Sequence, residues 1–259
     1  QTSQGRLLPD YIDYLLSPDT PLDFHVTVGN PDLCTQERIG AVKWMLIARS
    51  KVLRAMLLHS EMRHKKEMSI SDLDPETFTN FLVYMYGHDD TSSLQFEDAV
   101  SLLCASEKYD VQDLKHRLGN LITYKVTADN VFVVLRKAYV CETVTKLWET
   151  VTEIVQCQTE ELFSHAQFPT VSPEVLLHIV QQDRLSVGEI DVWRAALNWA
   201  THQARPVEGV MTAESLRLTI LPFLKHIRLR TLNGDTIFRE VLPTGILTGQ
   251  ELADISRSV

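Results

Sequence analysis

The chain has 259 residues, 44% of them hydrophobic and 23% charged, which is enough to bury a sizeable core without disulfides or metals; four cysteines are too few for a disulfide framework. With 25 Lys and Arg against 34 Asp and Glu, the formal charge is −9, which argues against a nucleic-acid binder or a polybasic membrane-surface protein. No apolar run approaches the ~20 residues of a membrane span, the opening QTSQGRLLPD lacks a signal-peptide core, and Gln1 in place of Met is expected of a piece of a longer chain, so the composition reads as a soluble, reduced, intracellular protein.

In chain order, Leu7, Leu8, Tyr11, Tyr14, Leu15 and Leu16 recur at helical spacing until Ser17-Pro18. Phe24, Val26 and Val28 alternate with His25 and Thr27 as in a strand, and a second strand is expected between Cys34 and Val42. From Lys43 one helical run is expected through Leu46, Ile47, Ser50, Leu53 and Leu57, then a short strand over Glu67 to Leu73. Asp74-Pro75-Glu76 is a cap, a first-turn proline and an acid, so a helix begins there and stops at Gly87. Helices follow over Phe96 to Tyr109 and, more briefly, through Leu114 to Ile122.

After Thr127 the strand signals vanish. Helices are expected through Val131 to Ala138, through Leu147 to Val155, after Ser172-Pro173-Glu174, which reads as a cap, a first-position proline and an acid, and after Ser186, which stands at capping-box spacing from Glu189. Ala204 to Gly209 reads as a loop. The chain therefore divides into 1–122, mixed α/β, and 123–259, all helical; the first part carries 12 basic and 18 acidic residues and the second 13 and 16, so neither is basic.

Signatures of catalysis are missing: there is no G-x-G-x-x-G, no phosphate-binding G-x-x-x-x-G-K, no H-E-x-x-H, no C-x-x-C and no G-x-S-x-G. His59, Glu61 and His64 lack partners at metal-ligand spacing and read as a solvated helix end; His88-Asp89-Asp90 reads as a polar turn. Cys104 and Cys141 read as small core residues, and Trp193 and Trp199 as core anchors. No cofactor or metal is implied, and interaction is the better expectation than enzymatic chemistry.

Residues 41–57, AVKWMLIARSKVLRAML, resemble the signature of the BTB (POZ) domain, in which A-H-K opens a helix that continues L-A-A-R-S-x-x-F-x-x-M. LDFHVTVG at 22–29, ISDLDPETFTNFLVYMYG at 70–87 and LLCASEKYDVQDLKHRL at 102–118 are similar to three further segments of that family, in the same order. TADNVFVVLRKAY at 127–139, SVGEIDVWRAALNWA at 186–200 and PFLKHIRLRTLN at 222–233 resemble a BACK domain. FREVLPTGILTGQELADI at 238–255 is similar to the BTB-BACK-PHR subgroup, which implies that a PHR domain could follow Val259. The implied fold is an α/β BTB (POZ) domain followed by an all-α BACK domain.

The resemblance implies a two-fold homodimer and an adaptor, cytoplasmic or also nuclear, that brings a protein substrate to a cullin-3 ubiquitin ligase. Leu8, Tyr11, Leu15, Ile47 and Ala48 fall on positions of the family's dimer face. Leu58, Met62, Arg63, His64, Tyr109 and Asp110 fall on its cullin-facing positions, and the helices between Thr127 and Phe163 on those that extend that contact. His64 stands where the family's apolar-x-Glu motif has Glu, replacing a carboxylate that accepts backbone N–H bonds by an imidazole. Either binding is weakened, or Glu61 or Glu67 substitutes, or cullin recruitment is absent, leaving a scaffold or transcriptional co-regulator as the alternative. Val42 replaces the family's usual His, and Leu22 is a further departure; Asp23 and Lys43 occupy an acid–base pair that lines a peptide groove in zinc-finger relatives, and here read as a partly buried structural pair.

Overall fold

The computed structural model describes residues 17, 20, 22–33, 35–59, 61–88, 91–204 and 212–256. By its internal contacts the chain forms two compact units, one of residues up to 126 with 137–148, the other of 127–136 with 149 onward. The boundary expected at 122/123 lies within the 14-residue helix Gln112–Lys125, which outlasts its apolar stripe by a turn. The expected helix before Ser17 lies outside the described residues.

In the first unit, strands β1 (Phe24–Val28), β2 (Glu37–Ala41) and β3 (Glu67–Ile70) form a sheet of order β2-β1-β3. β1 runs antiparallel to β2, with Phe24 opposite Ala41, and parallel to β3, with Val26 opposite Met68. A parallel pair needs a crossover. Helices α1 (Lys43–Arg49) and α2 (Lys51–Leu58) lie between β2 and β3 in the chain. Phe24, Val26 and Val28 are fully buried, as their alternation requires.

The single helix expected from Lys43 is two. Ser50 is extended (φ −123, ψ 124) because its hydroxyl is committed twice: it accepts from the Leu53 amide (3.0 Å), capping α2, and donates to the Tyr109 carbonyl (2.6 Å). The start of α1 is held from elsewhere too, since the buried Tyr86 hydroxyl accepts from the Val42 amide at 3.0 Å.

Helix α3 (Pro75–Met85) starts as its sequence foretells, with Asp74 Oδ1 accepting from the Thr77 amide at 2.7 Å, and Gly87 (φ 102) follows its end. Helices α4 (Phe96–Lys108) and α5 (Gln112–Lys125) form a hairpin around Leu103, Leu114 and Leu118. Tyr84 on α3 donates to Asp113 Oδ2 on α5 (2.6 Å), and Arg49 stands 3.5 Å from the same oxygen. Burial first, and that carboxylate second, push the Tyr84 phenol well above its ordinary range.

Where one helix was expected over Val131 to Ala138 there are two, α6 (Val131–Leu135) and α7 (Ala138–Cys141), separated at Lys137, whose backbone (φ −116, ψ 27) leaves helical geometry. Residues 137–148 belong to the first unit, and Gly119 on α5 makes room for them: a Cβ there would lie 2.8 Å from Val144 Cγ1. Cys141 is buried, which pushes its thiol up to about 12.

The second unit continues with α8 (Thr145–Cys157, from residue 149), α9 (Thr159–Ser164), α10 (Pro173–Val180), α11 (Glu189–Gln203), α12 (Ala213–Leu224) and α13 (Gly249–Ser256). Its core holds Phe132 against Phe168 (centroids 6.4 Å) and Trp199 edge-on to Phe223 (5.2 Å), with Trp199 Nε1 donating to the Val171 carbonyl at 2.9 Å. Two capping expectations are corrected. The Ser172 hydroxyl does not cap α10, and Ser186 does not cap α11, whose N-cap is Gly188. Ser186 instead exchanges two 3.2 Å hydrogen bonds with Thr159, a tertiary pairing that outcompetes the local one. A capping box does form at Thr212 and Ser215 on α12.

Arg217 on α12 ties down α13 by a two-pronged pair with Glu251 (2.9 and 3.0 Å). That guanidinium, helped by the Thr248 amide, holds the Glu251 carboxyl down at about 2. A lowered folded-state pKa stabilises above the unfolded value near 4.5 and is lost as pH falls towards 2. Wild type is therefore expected to melt above Arg217→Met at pH 6, with the gap closing between pH 4.5 and 2, read by circular dichroism; a gap independent of pH contradicts the assignment. Both side chains are partly exposed, so the gap is small.

Candidate functional site

The loop between α2 and β3 starts at His59, whose carbonyl accepts from the amides of Met62 (3.0 Å) and Arg63 (2.9 Å); the Lys65 amide donates to Met62 O at 3.2 Å. Leu58, just before it, is 51% exposed. Met62 is half-buried, while Arg63 and His64 are exposed.

Lys43, the first residue of α1, reaches under this loop. Its ammonium donates to the carbonyls of Met62 (3.2 Å), Arg63 (3.0 Å) and Lys65 (3.1 Å), which uses all three of its protons. It also stands 5.1 Å above the Phe24 ring. The Asp23 and Lys43 side chains are therefore not joined charge to charge in the way a buried pair implies: Asp23 Oδ1 takes the Lys43 backbone amide at 2.8 Å, and the ammonium goes to the loop.

Tyr109 and Asp110 sit at the α4–α5 corner. Tyr109 is 1% exposed, its ring 5.3 Å from Phe81 and 5.0 Å from the Lys108 ammonium. Asp110 adopts φ 51, an uncommon left-handed conformation outside glycine. Its carboxylate accepts from Gln112 (2.6 Å) and faces Lys51 (3.6 Å), and these hold it below the usual carboxylate range, Gln112 first. Of this pair only Asp110 offers a side chain to solvent.

Leu8, Tyr11 and Leu15 lie outside the described residues. Ile47 is 8% exposed and Ala48 is exposed. The residue the sequence reading passed over is Trp44, one helical turn before Ala48, whose side chain is 69% exposed. Trp44 and Ala48 lie one turn apart on the same face of α1 and are both exposed, forming a small apolar surface. Its signal was the i, i+4 spacing from Ala48 on the side of α1 opposite Leu46.

Among the described residues no group of three or more His, Cys, Asp or Glu side chains could hold a metal ion, and no helix is long and apolar enough to cross a membrane. The first unit has a cavity of about 300 Å³ between Asp72, Thr77, Cys104, Lys108 and Tyr139, in which Lys108 is engaged by Asp72. In the second unit a groove of about 610 Å³ runs past Leu221, Leu224, Ile227 and Ile255.

A family model described as the BTB/POZ domain matches residues 13–126, and one described as BTB And C-terminal Kelch, or BACK, matches residues 132–241. The chain is 27% identical over 241 residues to the human BTB/POZ domain-containing protein 3, covering 93% of this chain and 45% of that protein. It is 27% identical over 233 residues to BTB/POZ domain-containing protein 6 of Mus musculus (90% and 42%) and 25% identical over 236 residues to protein 6-B of Danio rerio (90% and 47%). The chain thus spans less than half the length of these relatives.

Proposed function

The chain belongs to the BTB-BACK proteins, an α/β BTB domain followed by an all-α BACK domain, and from that premise we propose that it is a dimeric, non-enzymatic adaptor that brings a protein substrate to a cullin-3 ubiquitin ligase. BTB domains generally mediate dimerisation and cullin-3 binding, and BTB-BACK proteins are generally adaptors or scaffolds. The observation that supports the reading is the loop at 61–65, which the resemblance aligns with the family's cullin motif: the amides of Met62 and Arg63 donate to His59 O, that of Lys65 donates to Met62 O, and the Lys43 ammonium holds three of the loop's carbonyls, while Met62 is half-buried and Leu58 exposed. A preordered loop loses less entropy on docking. Leu58 and Met62 supply the apolar anchor and Asp110 a charged contact. Trp44, Ala48 and Ile47 on α1, with Leu8, Tyr11 and Leu15, supply the dimer face, which in a two-fold pair meets its own copy.

The mechanism is geometric. Two chains present two substrate arms and two ligase arms, so weak contacts gain from raised effective concentration. The substrate-holding surface is assigned to sequence beyond the BTB domain. His64 favours one other reading, a scaffold or transcriptional co-regulator that takes no cullin, because an imidazole offers at most one acceptor nitrogen and no negative charge where a carboxylate offers two charged oxygens.

The test is calorimetric titration of the chain with the cullin-3 N-terminal domain. The expected result is binding that Met62→Ala weakens by more than about 1 kcal/mol, as for an anchoring residue. No binding by the wild type defeats the ligase assignment; if His64→Glu then restores it, the missing carboxylate is the reason and the scaffold reading leads.

A further inference from the structure

We propose that Lys43 is a positioning residue, one that sets the shape of the loop at 62–65 from beneath without itself contacting a partner. Three carbonyls, of Met62, Arg63 and Lys65, converge on a single ammonium at 3.0–3.2 Å. Carbonyls of a short loop that point to one centre repel one another, and a cation with three donors is what holds them there. The lysine stem is anchored at both ends: its backbone amide is fixed by Asp23 at 2.8 Å, and its ammonium rests over the Phe24 ring. Because residues 62, 63 and 65 turn their carbonyls inward, the outer surface of the loop is left to the side chains of Arg63, His64 and Lys65, all exposed.

The same residue opens α1, whose outer side carries the exposed Trp44 and Ala48. Lys43 therefore links that helix to the loop through one side chain. Where the loop docks a cullin, a step that rests on the function proposed above, removing the ammonium lowers affinity through loop disorder rather than through a lost contact.

Hydrogen exchange decides the first part. In Lys43→Met, which keeps the stem and removes the donors, the Arg63 and Lys65 amides are expected to exchange at least ten-fold faster, while the β1 amides and the melting temperature stay as in wild type. Lys43→Arg, which restores donors, is expected to recover part of the protection. Unchanged loop exchange in Lys43→Met overturns the proposal. If Lys43→Met does not fold, the wild type answers alone: a Lys43 ¹⁵Nζ resonance whose protons exchange slowly supports the proposal, and one exchanging as fast as that of the exposed Lys65 overturns it. Cullin titration of the same variants then separates the two claims. A wild type that binds with Lys43→Met at least ten-fold weaker supports the link to docking, and equal affinity overturns that link. A wild type that does not bind defeats the adaptor reading, and the exchange result alone then decides the role of Lys43.

Discussion

Ser50→Ala is expected to lower the unfolding free energy of the BTB domain by about 3 kcal/mol. Two losses combine at one atom. The first is the α2 cap, in which Ser50 Oγ accepts from Leu53 N at 3.0 Å; loss of such a cap costs about 1 kcal/mol. The second is the 2.6 Å bond to the Tyr109 carbonyl, which leaves an acceptor without its donor where no water reaches, at about 1–3 kcal/mol. Ser50 has no solvent exposure, so water cannot substitute. Ser50→Thr keeps the hydroxyl and separates the hydrogen bonds from packing. Urea unfolding followed by far-ultraviolet circular dichroism checks this, and a loss under 1 kcal/mol shows that the hydroxyl is not the link between the α1–α2 break and the α4–α5 corner.

Trp44→Glu is expected to shift the dimer to monomer, weakening self-association by at least 100-fold. Central tryptophans carry about 2–4 kcal/mol in interfaces, and a carboxylate buried against its own copy adds repulsion across a two-fold axis. Trp44 is 69% exposed and packs little in its own chain, so the fold survives the change. Sedimentation equilibrium checks it, with an unchanged melting curve as the control. A dimer of wild-type strength removes Trp44, and with it the α1 surface, from the interface.

Signals confined to a few neighbouring residues were legible in the sequence. Asp74-Pro75 announces α3 because the cap and the amide that donates to it lie three residues apart, and the alternation of Phe24, Val26 and Val28 announces β1 because one side of the strand faces the core. What was not legible depends on partners far away in sequence. Ser50 looks like any polar position in a helical run until the carbonyl of Tyr109, 59 residues on, accepts its hydrogen bond. Ser186 stands at capping-box spacing from Glu189, yet Thr159 claims it. The Thr212 box was missed because its third residue is Ser215 rather than Glu or Gln.

The candidate site divides in the same way. Its loop could be located by resemblance alone, residue by residue. That Lys43 serves the loop and not Asp23 could not be read, because its acceptors are backbone carbonyls, which every residue has. Tyr109 and Asp110 are adjacent in sequence but divided by burial, one in the core and one at the surface. Trp44 counts as one more apolar residue in a periodic run until α2 and α3 pack on α1 and leave Trp44 exposed.

The most direct test of a dimeric adaptor is the mass of the chain alone and with the cullin-3 N-terminal domain, by sedimentation equilibrium. The account predicts a free species of twice 29.5 kDa that takes up two cullin domains. A species of 29.5 kDa that takes up none contradicts it.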